Sequence, residues 1–499
     1  MQVAEAYAEL IRRTKETALL GSCAGVLGWD ERVNLPPAGG EFRGEQMALI
    51  ARMTHEMSTD PFIGEALSTV EASKPDGDMA VNVRELRRGY DRAVKLPKAL
   101  VEELARVTIR AQQAWQEARQ ADDFAGFQPW LEKVVTLKRE EAQAVGYKEH
   151  PYNALLDEYE PGTTAADVKQ IFAGLTKELV PLIEAIKNSP RRPKTEILHR
   201  EYPVDLQKIF GTAAAAAIGF DFGAGRLDTT THPFCSGIGP GDCRITTRYN
   251  PKFFNESFFG ILHEAGHGIY EQGLDPDHFG TPPGAFCSLG IHESQSRLWE
   301  NQVGRGPAFW QHFLPRARQV FLTALRDVSF DDFYFAINDV KPSFIRVESD
   351  EATYNLHIIL RFELELDLLA GTLKPGDLPA AWNEKFEKMF HLKVPDNRQG
   401  CLQDIHWSMG GLGYFPTYTL GNLYAAQLME QARKDLGDLD ADFTRGEFSR
   451  LKGWLNVNVH KPGRRYRAGE LCERVTGQSL SHAPLIRYLR DKYAPLYGC

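Results

Sequence analysis

Apolar residues return at helical spacing along most of the chain. Between residues 164 and 187, Val168, Ile171, Phe172, Leu175, Leu179 and Ile183 recur in steps of three and four, which lays one apolar stripe along an α-helix. Thr164 with Asp167 three residues on reads as a capping-box start, and Asn188-Ser189-Pro190 as a stop. The same period predicts helices near residues 2–20, 41–57, 98–120, 126–145, 307–326, 353–371 and 420–435. The texture changes between Asp221 and Tyr249, where Gly and Thr accumulate and helical period is lost. There Arg244, Thr246 and Arg248 alternate with Cys243, Ile245, Thr247 and Tyr249, which predicts a short strand, half of a hairpin turned by Gly237–Gly241. No repeat or low-complexity tract interrupts the pattern, and the Pro/Arg segment 189–194 reads as a surface loop in preference to a domain boundary. The expectation is a mainly α protein with one small β element beside its middle.

Composition narrows the class. The 499 residues are 43% hydrophobic and 25% charged, with 58 Lys plus Arg against 67 Asp plus Glu and a formal charge of −9. These values fit a globular protein with a large core and exclude a disordered, collagen-like or disulfide-scaffold chain. No apolar run reaches the roughly 18–20 residues of a membrane span, and no long Lys/Arg block marks a nucleic-acid binder; neither membrane nor nucleic acid is an expected partner. The first segment is charged throughout and lacks an apolar stretch of the secretory type, which predicts a cytoplasmic protein. Seven scattered cysteines without a CxxC pair read as thiols in a reducing compartment.

The chemistry concentrates at His263, Glu264 and His267, an H-E-x-x-H pattern. On a helix, residues four apart lie within roughly 40° of each other around the axis, so both imidazoles can reach one tetrahedral Zn²⁺. Glu264 is turned about 100° from His263, where it can touch a water at the metal. Zinc lowers that water's pKa toward about 7, and a carboxylate takes the proton as the water attacks a carbonyl. The apolar flank of Phe258, Phe259, Ile261 and Leu262 predicts that this helix is buried, and buried histidines beside a buried acid need a partner. A hydrolytic zinc keeps three protein ligands. Glu293, 26 residues beyond His267 on the next acid-rich helix, suits the third place, with Glu271 and Glu300 as rivals on spacing alone.

Several further motifs stand in fixed order: HPF at 232–234, D-x-R-x-T at 242–246, HESQ at 292–295 and G-x-x-Q-D-x-H-W at 400–407. With HEAGH at 263–267, and with WDERVNLPP (29–37), LLDEYEPG (155–162), KPSFIRVESDEATYNLHI (341–358) and GYFPTYTLGN (413–422), they make the chain resemble, essentially end to end, the carboxypeptidase Taq family of zinc metallocarboxypeptidases. The resemblance implies zinc held by His263, His267 and Glu293, with Glu264 as general base; cobalt and manganese also suit that ligand set. It also implies a helical fold with a deep substrate groove, akin to the neurolysin and angiotensin-converting-enzyme type, and a homodimer that removes single C-terminal residues with broad side-chain tolerance. Two departures are visible: Ser349 where the family pattern around IRxEAD usually has Ala, and VHKPG at 459–463 in place of a more His-rich segment.

Amide hydrolysis needs donors for the oxyanion besides the metal. His406 and Tyr418, with Tyr414 as rival, resemble the donors of related helical peptidases, and Asp404 is placed to orient an imidazole. A terminal carboxylate calls for the planar fork of an arginine. Arg346 is the first candidate, with Glu348, Asp350 or Glu351 as alternative structural partners; Arg244 is the second. His232 either walls the groove beside that strand or supports its own loop. Residues drawn from 244 to 418 must serve one groove, so residues 1–499 are expected to form a single, at most bilobed, metallocarboxypeptidase domain acting on peptides with a free C-terminus. An endopeptidase or dipeptidyl carboxypeptidase on the same scaffold is the alternative.

Overall fold

The computed structural model describes residues 2–499. Helices follow the sequence periodicity closely: Val3–Val33, Gly40–Ser58, Lys98–Ala121, Phe124–Val145, Ala165–Asn188, Tyr354–Ala370 and Pro416–Leu436. The capping box at Thr164 is formed in full, its backbone N–H donating to Asp167 Oδ2 (3.1 Å) while Asp167 N–H donates to Thr164 Oγ1 (3.2 Å). One expected helix is broken. Residues 307–326 divide into Pro307–Val320 and Leu322–Leu325 because Phe321 leaves helical geometry (φ −105°, ψ 52°). Its ring is buried among Tyr202, Phe210 and Phe254, so tertiary packing overrides the local period.

The β element is a three-stranded sheet in the order β1 (Gly225–Thr229), β3 (Asp242–Thr247), β2 (Cys235–Gly239). The expected hairpin is present as the antiparallel pair β2–β3, with a register shift between Gly237 and Gly239. β1, parallel to β3 with Arg226 opposite Arg244, was not anticipated. Five residues reading Gly-Arg-Leu-Asp-Thr carry too little alternation to announce a strand.

The described residues gather into two compact units, each assembled from separated stretches. The first holds residues up to Ala93, Pro193–Asn338 and Tyr424–Leu480; the second holds Val94–Arg192, Asp339–Leu423 and Ser481–Cys499. The chain crosses between units at Arg192–Pro193, inside the Pro/Arg segment that the sequence suggested was only a loop.

In the first unit the helix Phe254–Gly273, which carries the H-E-x-x-H pattern, is buried on an aromatic flank. Phe254 and Phe258 stack on each other at 5.2 Å, and Phe258 meets Phe210 (5.2 Å) and Trp310 (5.1 Å). Each buried ring stabilises the packing by about 1.5–3 kcal/mol, which fixes the helix's rotation and thereby the direction of its opposite face. In the second unit Tyr152, Phe172 and Phe362 form a core of edge-to-face rings around a buried carboxylate, Glu365.

Candidate metal centre and a second polar cluster

His263 and His267 stand one turn apart on the helix Phe254–Gly273. The helix Leu289–Arg297 crosses it, capped by Ser288, whose hydroxyl accepts from Ile291 N–H at 3.1 Å. The crossing is tight because of Gly266. A Cβ there would lie 2.5 Å from the Gln295 carbonyl oxygen and 2.7 Å from Ser296 Cα, so no other residue fits without parting the helices. This approach brings Glu293 Oε2 to 3.4 Å from His267 Nε2 and 3.7 Å from His263 Nε2. Donors bound at about 2.0–2.1 Å in a tetrahedral zinc site stand roughly 3.4 Å apart, and two imidazoles with one carboxylate are a donor set suited to zinc. Among the described residues these three form the one group with metal-site spacing.

The two rivals for the third ligand have other places. Glu300 Oε2 lies 2.9 Å from His263 Nδ1, and Glu271 Oε1 lies 2.7 Å from His292 Nε2, whose Nδ1 lies 2.6 Å from His267 Nδ1. Both acids support the histidines from behind, one directly and one through an intervening imidazole, as metal-binding histidines generally require. Sequence spacing already contained the signal, since Glu271 is four residues past His267 and Glu300 seven past Glu293, positions that return to the same helix face. The helix continues as a π-helix over Leu298–Val303, a distortion common at functional sites. Glu293 also accepts from Arg297 Nε (2.7 Å) and Ser296 Oγ (2.9 Å). Burial works against its charge, but Arg297 and the two imidazoles hold it well below the ordinary carboxylate range. Burial pushes His267 down to about 3; at His263 the same burial is outweighed by Glu293 and Glu300, and its pKa is raised. Glu264 is buried and pushed up to about 7 by desolvation, with His263 opposing.

The HPF and D-x-R-x-T motifs form one structure. Phe234 N–H donates to Thr246 Oγ1 at 2.8 Å, and that hydroxyl donates to the Phe234 carbonyl at 3.0 Å. Asp242 chelates Arg244 at 2.8 and 2.7 Å, and Trp29 of the WDERVNLPP segment lies under the guanidinium at 4.4 Å. His232 is exposed in the loop before β2.

The second unit gathers the other motif residues. His406 Nε2 lies 3.2 Å from the Tyr418 hydroxyl, and Tyr414 packs edge-on against Tyr418 at 5.4 Å. Burial pushes His406 down to about 4 although Asp404 opposes it, so the ring is neutral near pH 7. The expectation that Asp404 orients this imidazole is corrected: its carboxylate stands 4.0 Å from Nδ1, beyond hydrogen-bond reach, and is instead shared by Arg346 (2.9 and 2.8 Å) and Arg361 (2.6 Å). The acid that holds Arg346 is therefore Asp404 rather than Glu348, Asp350 or Glu351, and Arg346 Nη1 also donates to the Tyr354 hydroxyl at 2.9 Å. Gln403 accepts from Arg346 N–H at 2.8 Å. Sequence reading missed Arg361 and Glu365. Glu365 accepts from Trp407 Nε1 (2.8 Å), the Tyr152 hydroxyl (2.8 Å) and Gly413 N–H (3.1 Å), which ties down the loop between His406 and Tyr414.

Known proteins resemble the chain over nearly its whole length. The family model described as carboxypeptidase Taq (M32) metallopeptidase matches residues 9–493. Thermostable carboxypeptidase 1 of Thermus thermophilus is 50% identical over 99% of both chains, and carboxypeptidase 1 of Bacillus subtilis is 37% identical over 97% of both. The crystal structure of the M32 carboxypeptidase from Deinococcus radiodurans superposes with a TM-score of 0.96 at 40% identity, covering 99% of this chain and all of that one.

Two measurements test the geometry. Gly266→Ala should weaken zinc binding at least tenfold in a competition assay with a chromophoric chelator, while retaining the helical circular-dichroism signal; unchanged affinity would show that the crossing does not set the ligand spacing. Glu365 is raised from 4.5 to about 7, chiefly by burial. Its folded form thus keeps a proton that the unfolded chain has already released, and its contribution to stability falls as pH rises from 4.5 to 7. Glu365→Gln should make the unfolding free energy fall less steeply across that window, by about 1.4 kcal/mol per pH unit, in urea titrations at several pH values; identical slopes would place its titration outside the window.

Proposed function

The chain belongs to the carboxypeptidase Taq family of metallopeptidases and is a peptide hydrolase of the carboxypeptidase kind; on that premise we propose that it is a zinc enzyme removing single C-terminal residues from peptides with broad side-chain tolerance. The observation that carries the reading is the crossing of two helices that sets His263, His267 and Glu293 at metal-site spacing with a buried Glu264 beside them.

His263, His267 and Glu293 would hold the zinc, or cobalt or manganese in its place. Bound there, the ion lowers the pKa of water and polarises the scissile carbonyl. Glu264 takes the proton of the attacking water and returns it to the leaving amine, a task suited to a carboxyl whose pKa of about 7 lies near working pH. His406 and Tyr418 act as the oxyanion donors. With its ring neutral, the imidazole can pass a hydrogen bond through the tyrosine hydroxyl, and Tyr414 steadies Tyr418 by edge contact. Arg346 is the anchor for the substrate's terminal carboxylate. Its guanidinium has five N–H groups, of which three are engaged by Asp404 and Tyr354, leaving two for a ligand. Arg244 and His232 bound the substrate-binding groove. Seven free thiols fit a cytoplasmic location, and no helix among the described residues is long and apolar enough to cross a membrane. A homodimer is the proposed assembly.

Mass analysis of a peptide with a free C-terminus should show a ladder of single-residue losses, abolished by chelator and restored by zinc, while the amidated peptide is cut at least a hundredfold more slowly. Equal cleavage of both would establish an endopeptidase, and loss of residue pairs a dipeptidyl carboxypeptidase. Glu264→Gln should retain bound zinc and lose turnover by at least a thousandfold; full activity would remove Glu264 from the mechanism.

A further inference from the structure

The first unit contains a cavity of about 770 Å³ that Glu271 helps to line. Its walls include Thr14 and Thr17 of the first helix, Tyr90, Phe279, Glu271 and, from the sheet, Cys243. Cys235 on β2 and Cys243 on β3 lie diagonally across the antiparallel ladder, two residues apart in register. Their sulfurs are 3.6 Å apart, within thiol hydrogen-bonding distance. Cys243 is 2% exposed and Cys235 is half-buried; Cys243 is one of the residues lining the cavity, which gives a small solute a route to the pair.

We propose that Cys235 and Cys243 form a peroxide-reactive dithiol whose oxidation to a disulfide weakens metal binding at His267. The Cys243 thiolate attacks one oxygen of hydrogen peroxide. The O–O bond breaks, and the departing hydroxide takes up a proton to leave as water, giving a sulfenic acid. Cys235 sulfur then attacks Cys243 sulfur. The S–O bond breaks, and hydroxide leaves with the Cys235 proton as a second water. Two thiols and one peroxide become one disulfide and two waters. Cys243 is assigned the first step because it lines the cavity and Cys235 does not. The hydrogen bond with Cys243, followed by burial, holds the Cys235 thiol well above its ordinary range, which keeps it protonated until Cys243 has reacted.

The route to the metal is short. Gly237 on β2 is the register partner of Cys243, and a Cβ on Gly237 would lie 2.3 Å from Glu271 Oε2, so the Glu271 carboxylate rests directly on that stretch of backbone. Glu271 in turn holds His292, and His292 meets His267. Drawing the sulfurs from 3.6 Å to a bond of about 2.05 Å must shift β2 at Gly237 and with it Glu271. Changes to such supporting groups typically cost 10–100-fold in metal affinity.

The crosslink stands independently of the assigned activity, whereas its effect on turnover rests on the proposed zinc chemistry, so the test reads both. Zinc-loaded full-length protein is titrated with hydrogen peroxide, then analysed by peptide mass mapping, by zinc release to a chromophoric chelator and by peptide hydrolysis. Expected are a linked 235–243 peptide pair short of two hydrogens, at least tenfold weaker zinc retention, and recovery of both on adding dithiothreitol. Cys243→Ser should form no link and keep its zinc. Cys235→Ser should trap the sulfenic acid for capture by a 1,3-diketone reagent. Oxidation confined to the exposed Cys23 and Cys499 would overturn the dithiol. A 235–243 link with zinc retention unchanged would overturn the coupling, and a link with zinc lost but hydrolysis unchanged would instead overturn the zinc reading of the activity.

Discussion

Everything at the metal centre depends on how closely two helices can cross at Gly266. The two histidines belong to one helix and the carboxylate to another, so ligand spacing is set by the distance between axes. With the Gln295 carbonyl and Ser296 Cα occupying the place where a Cβ would stand, the first helix presents bare backbone at the crossing. The aromatic flank of Phe254 and Phe258 holds the other side of that helix, so it cannot roll to relieve the pressure. A site of this kind is rigid because its geometry is a packing result, and side-chain rotamers have little left to decide.

Proton placement follows from the same contacts. For His263 Nε2 to offer a lone pair toward Glu293, its proton must sit on Nδ1, where Glu300 accepts it. For His267 the proton on Nδ1 must go to His292 Nδ1, which leaves His292 protonated on Nε2 and donating to Glu271. Each imidazole has one tautomer compatible with metal binding, and a carboxylate stands at the end of each chain to enforce it. The two ligands are not equivalent. Burial pushes His267 down to about 3, whereas at His263 the carboxylates of Glu293 and Glu300 outweigh the same burial.

Much of this was legible in the residues themselves, and the exceptions share a cause. The H-E-x-x-H pattern, the long helices and the β2–β3 hairpin all rest on local spacing, which sequence records directly, whereas the approach of Glu293 to the two histidines depends on the crossing of two helices. β1 was missed because a parallel partner lies far away in sequence and five residues carry no period of their own. The break at Phe321 answers to rings from distant helices. Asp404 was assigned to the wrong neighbour because sequence distance favoured His406, two residues on, whereas the fold brings in Arg346 and Arg361 from 58 and 43 residues away. Buried charge pairs with whatever charge the fold supplies, and that partner is nonlocal.

Charge balance also separates the two candidate arginines. Arg244 has an acid to itself, Asp242, in a two-point chelate on the face of Trp29; the pair is electrically complete. Arg346 and Arg361 share the single carboxylate of Asp404. Glu365, an acid that feels the charge of Arg361, is pushed up to about 7 by its burial and is a weak counterion at neutral pH. A buried excess of one positive charge is costly unless an anion joins it, and a peptide's terminal carboxylate is the anion that a carboxypeptidase substrate always carries and an amidated or internal bond never does. The anchor proposed for the chain end is thus one arginine of an unbalanced buried pair, and no pocket for a particular side chain enters that proposal.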